Sequence, residues 1–328
     1  MKKHFAGVIA FVMLFTFIFA GASCAEERKL SVVTTIFPVY DWVREIVGEN
    51  GNIEITMLLD NGVDLHSYQP TASDIMKVAT CDVFVYVGGE SDEWVEDALA
   101  GAVNPDRVVV NLVEAMGDDV VMEELVEGME HEHEDEEHEE EEHDHEHGDE
   151  VDEHVWLSLR NARKLVKALA VALGEADPAN AGSYAAYAVA YAGKLAALDA
   201  EYAAVREAAD YDTVLFGDRF PFRYLVDDYD LNYFAAFSGC SAESEASFET
   251  IVFLAGKVDE LGLTTVLTIE GDNHRIAETI IGNTQVKDAK VLALDSLQGT
   301  TGEDVKNGVT YLSAMEANLE VLKQALTK

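Results

Sequence analysis

Short apolar runs alternate along this chain with longer stretches whose apolar positions recur at helical spacing. KLSVVTTI (29–36) reads as a strand, and FPVYDWVREIVG reads as the helix that follows it. IEITMLL (53–59), DVFVYVGG (82–89) and RVVVNL (107–112) repeat the rhythm, which is that of a layered parallel or mixed sheet. A polar segment interrupts this half near its end, and a helix resumes from about residue 159. Residues 177–210, rich in Ala, Tyr, Leu and Glu with Pro178 near the start, read as one long helix. Strands then return at TVLF (213–216), LNYFAAF (231–237), TTVLTI (264–269) and KVLALD (290–295), with helices around 246–261, 272–284 and 308–326. The pattern predicts an α/β fold of two lobes, each with a central β-sheet flanked by helices, bridged by a single long rigid helix. A ligand belongs between the lobes, where strand ends from both halves converge.

The N-terminus adds an address. Lys2 and Lys3 precede an apolar run, 5–22, which ends in Gly21, Ala22, Ser23 and Cys24. This is a secretory signal, 1–23, followed by processing, and not a lasting span. Cleavage before Cys24 leaves a cysteine able to carry lipid; cleavage after Ala25 by an ordinary signal peptidase is the alternative. No later segment is long and apolar enough to cross a bilayer. About 300 residues remain, enough for two modest cores. They divide into a lobe at 24–176 that includes an acidic loop at 130–150, a connecting helix at 177–210 and a second lobe at 211–328. The expected location is extracytoplasmic, as a membrane-anchored lipoprotein.

Charge and loop composition change the picture most. The formal net charge is -41, which argues against nucleic acid and anionic substrates. Much of it sits in HEHEDEEHEEEEHDHEHGDE, where His131, His133, His138, His143, His145 and His147 alternate with carboxylates. Such a segment cannot build a core, but its imidazoles suit Zn, Cu and Ni while its carboxylates concentrate cations. It is suited to auxiliary capture; it cannot fix the geometry of a tight site. Beyond Cys24 only Cys81 and Cys240 are present, too few for a disulfide framework, and whether they pair is not legible from spacing.

A selective site is therefore sought at the strand ends. His66 in GVDLHSYQPTASDI lies in a turn-rich segment after a strand, and His154 in VDEHVWLS follows the acidic loop, with Trp156 placed to wall the site. Two histidines on different loops can present two imidazole nitrogens to one cation. Asp218 lies beside Arg219 in FGDRFPFRY, where an ion pair competes with a ligand role. Glu245 reads as a helix N-terminal residue or a carboxylate near the metal, His274 as a cap or a solvent-facing residue, and Cys240 as a packed residue or a soft ligand.

These segments, in this order and spacing, make the chain resemble the cluster A-I solute-binding proteins of metal ABC importers, the zinc- and manganese-binding lipoproteins of bacteria. The marks are TTIFPVYDWVREIVG, GVDLHSYQPTASDI, the His-rich loop, DEHVWLS, the helix after Pro178, SAESEAS and LALDSLQG. The resemblance implies two lobes around a metal site and delivery to a membrane permease with its cytoplasmic ATPase, from a lipid-anchored monomer. It assigns His66 and His154 as the histidine ligands and Asp295 as the carboxylate of the second lobe. The remaining family ligand, a histidine in zinc binders and often a glutamate in manganese binders, falls at or near Gly217. Asp218 is the nearest replacement, and a loop histidine or a water are the others.

Ligand softness favours zinc as the transported substrate, with manganese or iron as the alternative. A metal-dependent surface adhesin and a zinc hydrolase are the rival classes. The chain has no HExxH, no nucleophile elbow and no GxxxxGK[ST] loop, so an enzyme is not expected.

Overall fold

The computed structural model describes residues 28–101, 103–129, 151–241, 245–271 and 273–328. The signal segment, Cys24 and the six loop histidines lie outside them. The first lobe contains β1 (Leu30–Thr34), α1 (Phe37–Val47), β2 (Ile53–Met57), α2 (Ala72–Thr80), β3 (Val83–Tyr86), α3 (Trp94–Ala100), β4 (Val108–Asn111) and α4 (Leu112–Met116). Its parallel sheet has the order β2-β1-β3-β4. After α5 (Leu159–Ala176) and α6 (Ala181–Glu207), the second lobe contains β5 (Thr213–Phe220), α7 (Arg223–Asp228), β6 (Asn232–Ser238), α8 (Phe248–Leu261), β7 (Thr265–Thr268), α9 (Arg275–Asn283), β8 (Lys290–Ala293), α10 (Gly302–Lys306) and α11 (Tyr311–Ala325). Its parallel sheet, β6-β5-β7-β8, repeats the topology of the first. In each lobe the chain reverses strand order between the two central strands, and the crevice beyond their carboxyl ends is where such sheets hold ligands.

Local chemistry sets the elements. The central strands β1, β3 and β7 are rich in β-branched and aromatic residues because helices cover both faces of the sheets. Thr71 and Asp74 close a reciprocal capping box that starts α2 directly after the His66 segment. Ser158 accepts from Asn161 N–H and starts α5 four residues after His154.

The bridge is carried by two helices packed along each other rather than by one alone. α6 runs unbroken for 27 residues, through Gly182 and Gly193, or ~40 Å at 1.5 Å per residue. Its buried stripe is Tyr184, Ala188, Tyr191, Leu195, Leu198 and Tyr202, at the three- and four-residue spacing of one helix face. The stripe spans both lobes: Asn50 donates to the Tyr184 hydroxyl at 3.2 Å, while Tyr202 donates to the Met315 carbonyl at 2.6 Å. α5 packs against α6 and against α1, so the first lobe rests on both helices. Directly across the cleft, Tyr311 N–H donates to buried Asp41 at 2.8 Å, and its ring meets Trp42 edge-on at 5.1 Å.

Candidate metal centre

Both histidines sit in the same local device. Asp64 and Asp152 each stand two residues before a histidine and accept that histidine's backbone N–H, at 2.9 and 2.8 Å. A short side chain that bonds two residues ahead tightens the backbone into a turn. His66 follows on a single turn of 3-10 helix, Leu65–Ser67, and His154 precedes another, Val155–Leu157. The two turns face each other, and the Nε2 atoms approach to 3.1 Å.

Each ring is fixed from behind. His66 Nδ1 lies 2.7 Å from Ser91 Oγ, in the turn after β3, and His154 Nδ1 lies 3.0 Å from Asp152 Oδ1. Buried Glu153 accepts Ser91 N–H at 2.9 Å and so positions the serine. Trp156 stands against the His154 ring, centroids 5.2 Å apart, as a wall of the site. Partners of this kind leave Nε2 as the free donor on each imidazole, which is how metal-binding histidines are oriented.

Burial, and then the charge of His154, push His66 down to about 3, so His66 is neutral with an open lone pair at physiological pH. For His154 burial opposes charge, but Asp152, with Glu153 and Glu123, outweighs it and the net shift is upward from 6.5. Two proton assignments satisfy every contact: a doubly protonated His154 that donates to Asp152 and to His66 Nε2, or a neutral pair in which Ser91 donates to His66 Nδ1 and His66 Nε2–H donates to His154 Nε2. The upward shift of His154 favours the first.

A cation entering between the rings must displace the proton on His154 Nε2. Zinc affinity is therefore expected to rise with pH as that proton is lost through the raised His154 value. The same group stabilises the metal-free fold in the opposite sense. Its raised value gives a contribution fully present below 6.5 and lost as pH rises through the folded value. Chelator competition and melting of the metal-free protein over this range check both slopes; affinity that is flat above pH 6.5 would rule out the shared proton.

Among the described residues one group of metal-capable side chains comes together, namely His66, His154 and Cys240, with ligand atoms all within 4.8 Å of one another. Asp295 and Asp218 lie outside this group. Asp295 follows β8, its Oδ1 accepting Leu297 N–H at 2.7 Å, and burial together with the neighbouring Glu270 pushes it up to about 6. Asp218 spends both oxygens on backbone, accepting from Arg219 N–H at 2.9 Å and Ile269 N–H at 3.4 Å.

Position 217 does not face the cleft. A Cβ there would lie 2.6 Å from the Ala277 backbone in α9, so Gly217 is the contact that lets β5 and α9 pack, with no room for a ligand side chain. The register of β5 against β6 shifts between Phe216 and Arg219, an irregularity that re-aims the residues after it. It is Arg219 that reaches across to the first lobe and pairs with Asp64 at 2.5 Å. The expected Asp218–Arg219 side-chain pair is replaced by this bond between lobes.

The remaining candidates resolve individually. Glu245 pairs with Arg275 at 3.7 Å with both side chains largely exposed, and the His274 ring bonds Thr268 Oγ1 at 3.1 Å. Cys81 is buried and donates to the Val78 carbonyl at 3.2 Å; Cys81 and Cys240 are both free. Ser91, Asp152, Glu153 and the Asp64–Arg219 pair escape the sequence reading. The repeated Asp-x-His of DLH and DEH was the one signal that pointed to two of them.

Comparison with known proteins agrees with this architecture. The family model for zinc-uptake complex component A, periplasmic, matches residues 32–325. The high-affinity zinc uptake system protein ZnuA of Bacillus subtilis is 30% identical over 333 residues, covering 99% of each chain. The zinc-binding lipoprotein AdcA of Streptococcus pneumoniae is 34% identical over 308 residues, 92% of this chain and 58% of that protein. The chain thus spans a little over half the length of the streptococcal relatives it matches. The crystal structure of the Zn(II)-bound ZnuA-like domain of the S. pneumoniae AdcA superposes with a TM-score of 0.70 at 28% identity, over 91% of this chain and 99% of that one. With two parallel-sheet lobes, a histidine pair between them and a match along nearly its whole length, the chain belongs to the zinc-uptake complex component A family of solute-binding proteins.

Proposed function

We propose that this chain is an extracytoplasmic, lipid-anchored solute-binding protein that captures zinc between its lobes and delivers it to an ABC permease driven by a cytoplasmic ATPase. The observation that carries the reading is the His66–His154 pair. Two nitrogens at ~2.0–2.1 Å from a tetrahedral zinc stand roughly 3.3 Å apart, and the two Nε2 atoms stand 3.1 Å apart with each ring already held from behind. Neutral imidazole favours zinc over manganese, which prefers oxygen ligands. Asp295 is the second-lobe carboxylate that the family resemblance assigns, and burial that pushes it up to about 6 means a nearby cation would stabilise its charged form. The resemblance to named zinc-binding relatives supports the same metal.

The loop at 131–150 serves to raise local zinc concentration, while the cleft supplies selectivity. Metal content and chelator competition on the mature chain, intact and lacking 131–150, test this. One tightly bound zinc in both proteins is the expected result, and restored growth of a transport-deficient strain on limiting zinc is expected from both. Zinc lost together with the loop would overturn the cleft assignment.

A further inference from the structure

We propose that Cys240 supplies a thiolate ligand to the captured metal, making the centre a two-imidazole, one-sulfur site that joins the lobes. The inference rests on metal capture at His66 and His154 and adds a ligand of a different chemical class. Cys240 follows β6 at the carboxyl edge of the second sheet, across the cleft from both histidines. Its Sγ shares the group in which every ligand atom lies within 4.8 Å of the others. Around a tetrahedral zinc with Zn–S ~2.3 Å, sulfur and nitrogen stand roughly 3.6 Å apart, so a movement of about an ångström completes the set.

The backbone is shaped for this approach. A Cβ at Gly239 would lie 3.0 Å from His154 Cε1 and 3.0 Å from the Phe220 carbonyl, so a side chain there would crowd the imidazole, and glycine lets the strand end lie against it and carry Cys240 in beside it. Glu123 accepts Cys240 N–H at 3.2 Å and fixes the residue from the first lobe. On binding, the metal–sulfur bond replaces the S–H bond and the proton leaves to solvent. Sulfur is a soft donor, so the ligand biases the site toward zinc, cadmium and copper(I) and against manganese and magnesium.

Cobalt(II) is the probe, loaded into the reduced mature chain and its Cys240→Ser, Cys81→Ser and His154→Ala variants. The expected result is a near-ultraviolet sulfur-to-cobalt charge-transfer band in the parent and in Cys81→Ser, absent in Cys240→Ser. Zinc affinity of Cys240→Ser is expected to fall at least about tenfold, with a smaller preference over manganese. X-ray absorption at the zinc edge of the zinc-loaded parent should show a zinc–sulfur distance of ~2.3 Å, a readout that needs no variant. Cobalt bound without the band, with no sulfur neighbour at the zinc, overturns the thiolate while leaving capture by the histidines intact. Cobalt binding unaltered by His154→Ala overturns both readings.

Discussion

Replacing His154 with alanine is expected to lower zinc affinity at least about 100-fold. Loss of a group that merely orients a metal-binding histidine costs 10- to 100-fold, so loss of the histidine itself costs more. His154 is fully buried, with Nδ1 held by Asp152 and Nε2 directed at His66. A buried, pre-oriented ring loses little freedom on binding, which makes its contribution larger than that of any single histidine in the acidic loop. His66→Ala should fall in the same range, because Ser91 fixes that ring equally well. Deleting 131–150 should cost less than about tenfold, since alternating imidazoles and carboxylates raise the local metal concentration and the cleft site does not need them. Competition against a chelator of graded strength separates the cases. Equal losses from the point variants and the deletion would end the division between capture and selection.

Trp156→Ala is expected to destabilise the metal-free protein by about 3–5 kcal/mol, the range for emptying a buried aromatic site. The indole is fully buried and acts as a keystone between lobes. Its Nε1–H donates to the Ser296 carbonyl at 2.9 Å, next to Asp295, and its own carbonyl accepts the Tyr311 hydroxyl at 2.7 Å. Tyr311 in turn donates its backbone N–H to Asp41 of the first lobe. Trp156→Phe keeps most of the volume and the carbonyl bond but strands the Ser296 carbonyl, and about 1–3 kcal/mol is expected. Urea unfolding followed by tryptophan fluorescence and circular dichroism measures both variants. A cost below about 1 kcal/mol for alanine would show that the lobes are held together elsewhere.

These contacts also bear on motion. A continuous helix spanning both lobes resists wide hinging, and here α5 lies along it while Arg219–Asp64 and Tyr311–Asp41 cross the cleft. The exchange of metal is therefore expected to proceed with local movement of the strand-end turns around His66 and Cys240.

Much of the fold was written in one-dimensional pattern. Central strands buried on both faces must be nearly continuous apolar runs, and the strands among the described residues each begin in or overlap the apolar runs read from the sequence, from KLSVVTTI to KVLALD. The helix after Pro178 was legible because tyrosine, alanine and leucine recur on one face over its length. His66 and His154 stood out because each lies where a strand end gives way to a turn.

The rest depended on distances between residues far apart in the chain. Whether position 217 faced the cleft turned on a register shift in β5 and on α9 packing over the glycine, and neither leaves a mark in the local sequence. Arg219, beside Asp218 in the chain, pairs instead with Asp64, 155 residues away. Cys240, read from the sequence as either a packed residue or a soft ligand, was placed beside the two imidazoles only by the second sheet, which carries its strand end there. The sequence by itself determined the strands, the long helix and the chemical types available, because burial and helix periodicity act over a few neighbouring residues. Only the tertiary structure decided which side chains share one small volume, because the packing of two lobes on a common pair of helices sets those distances.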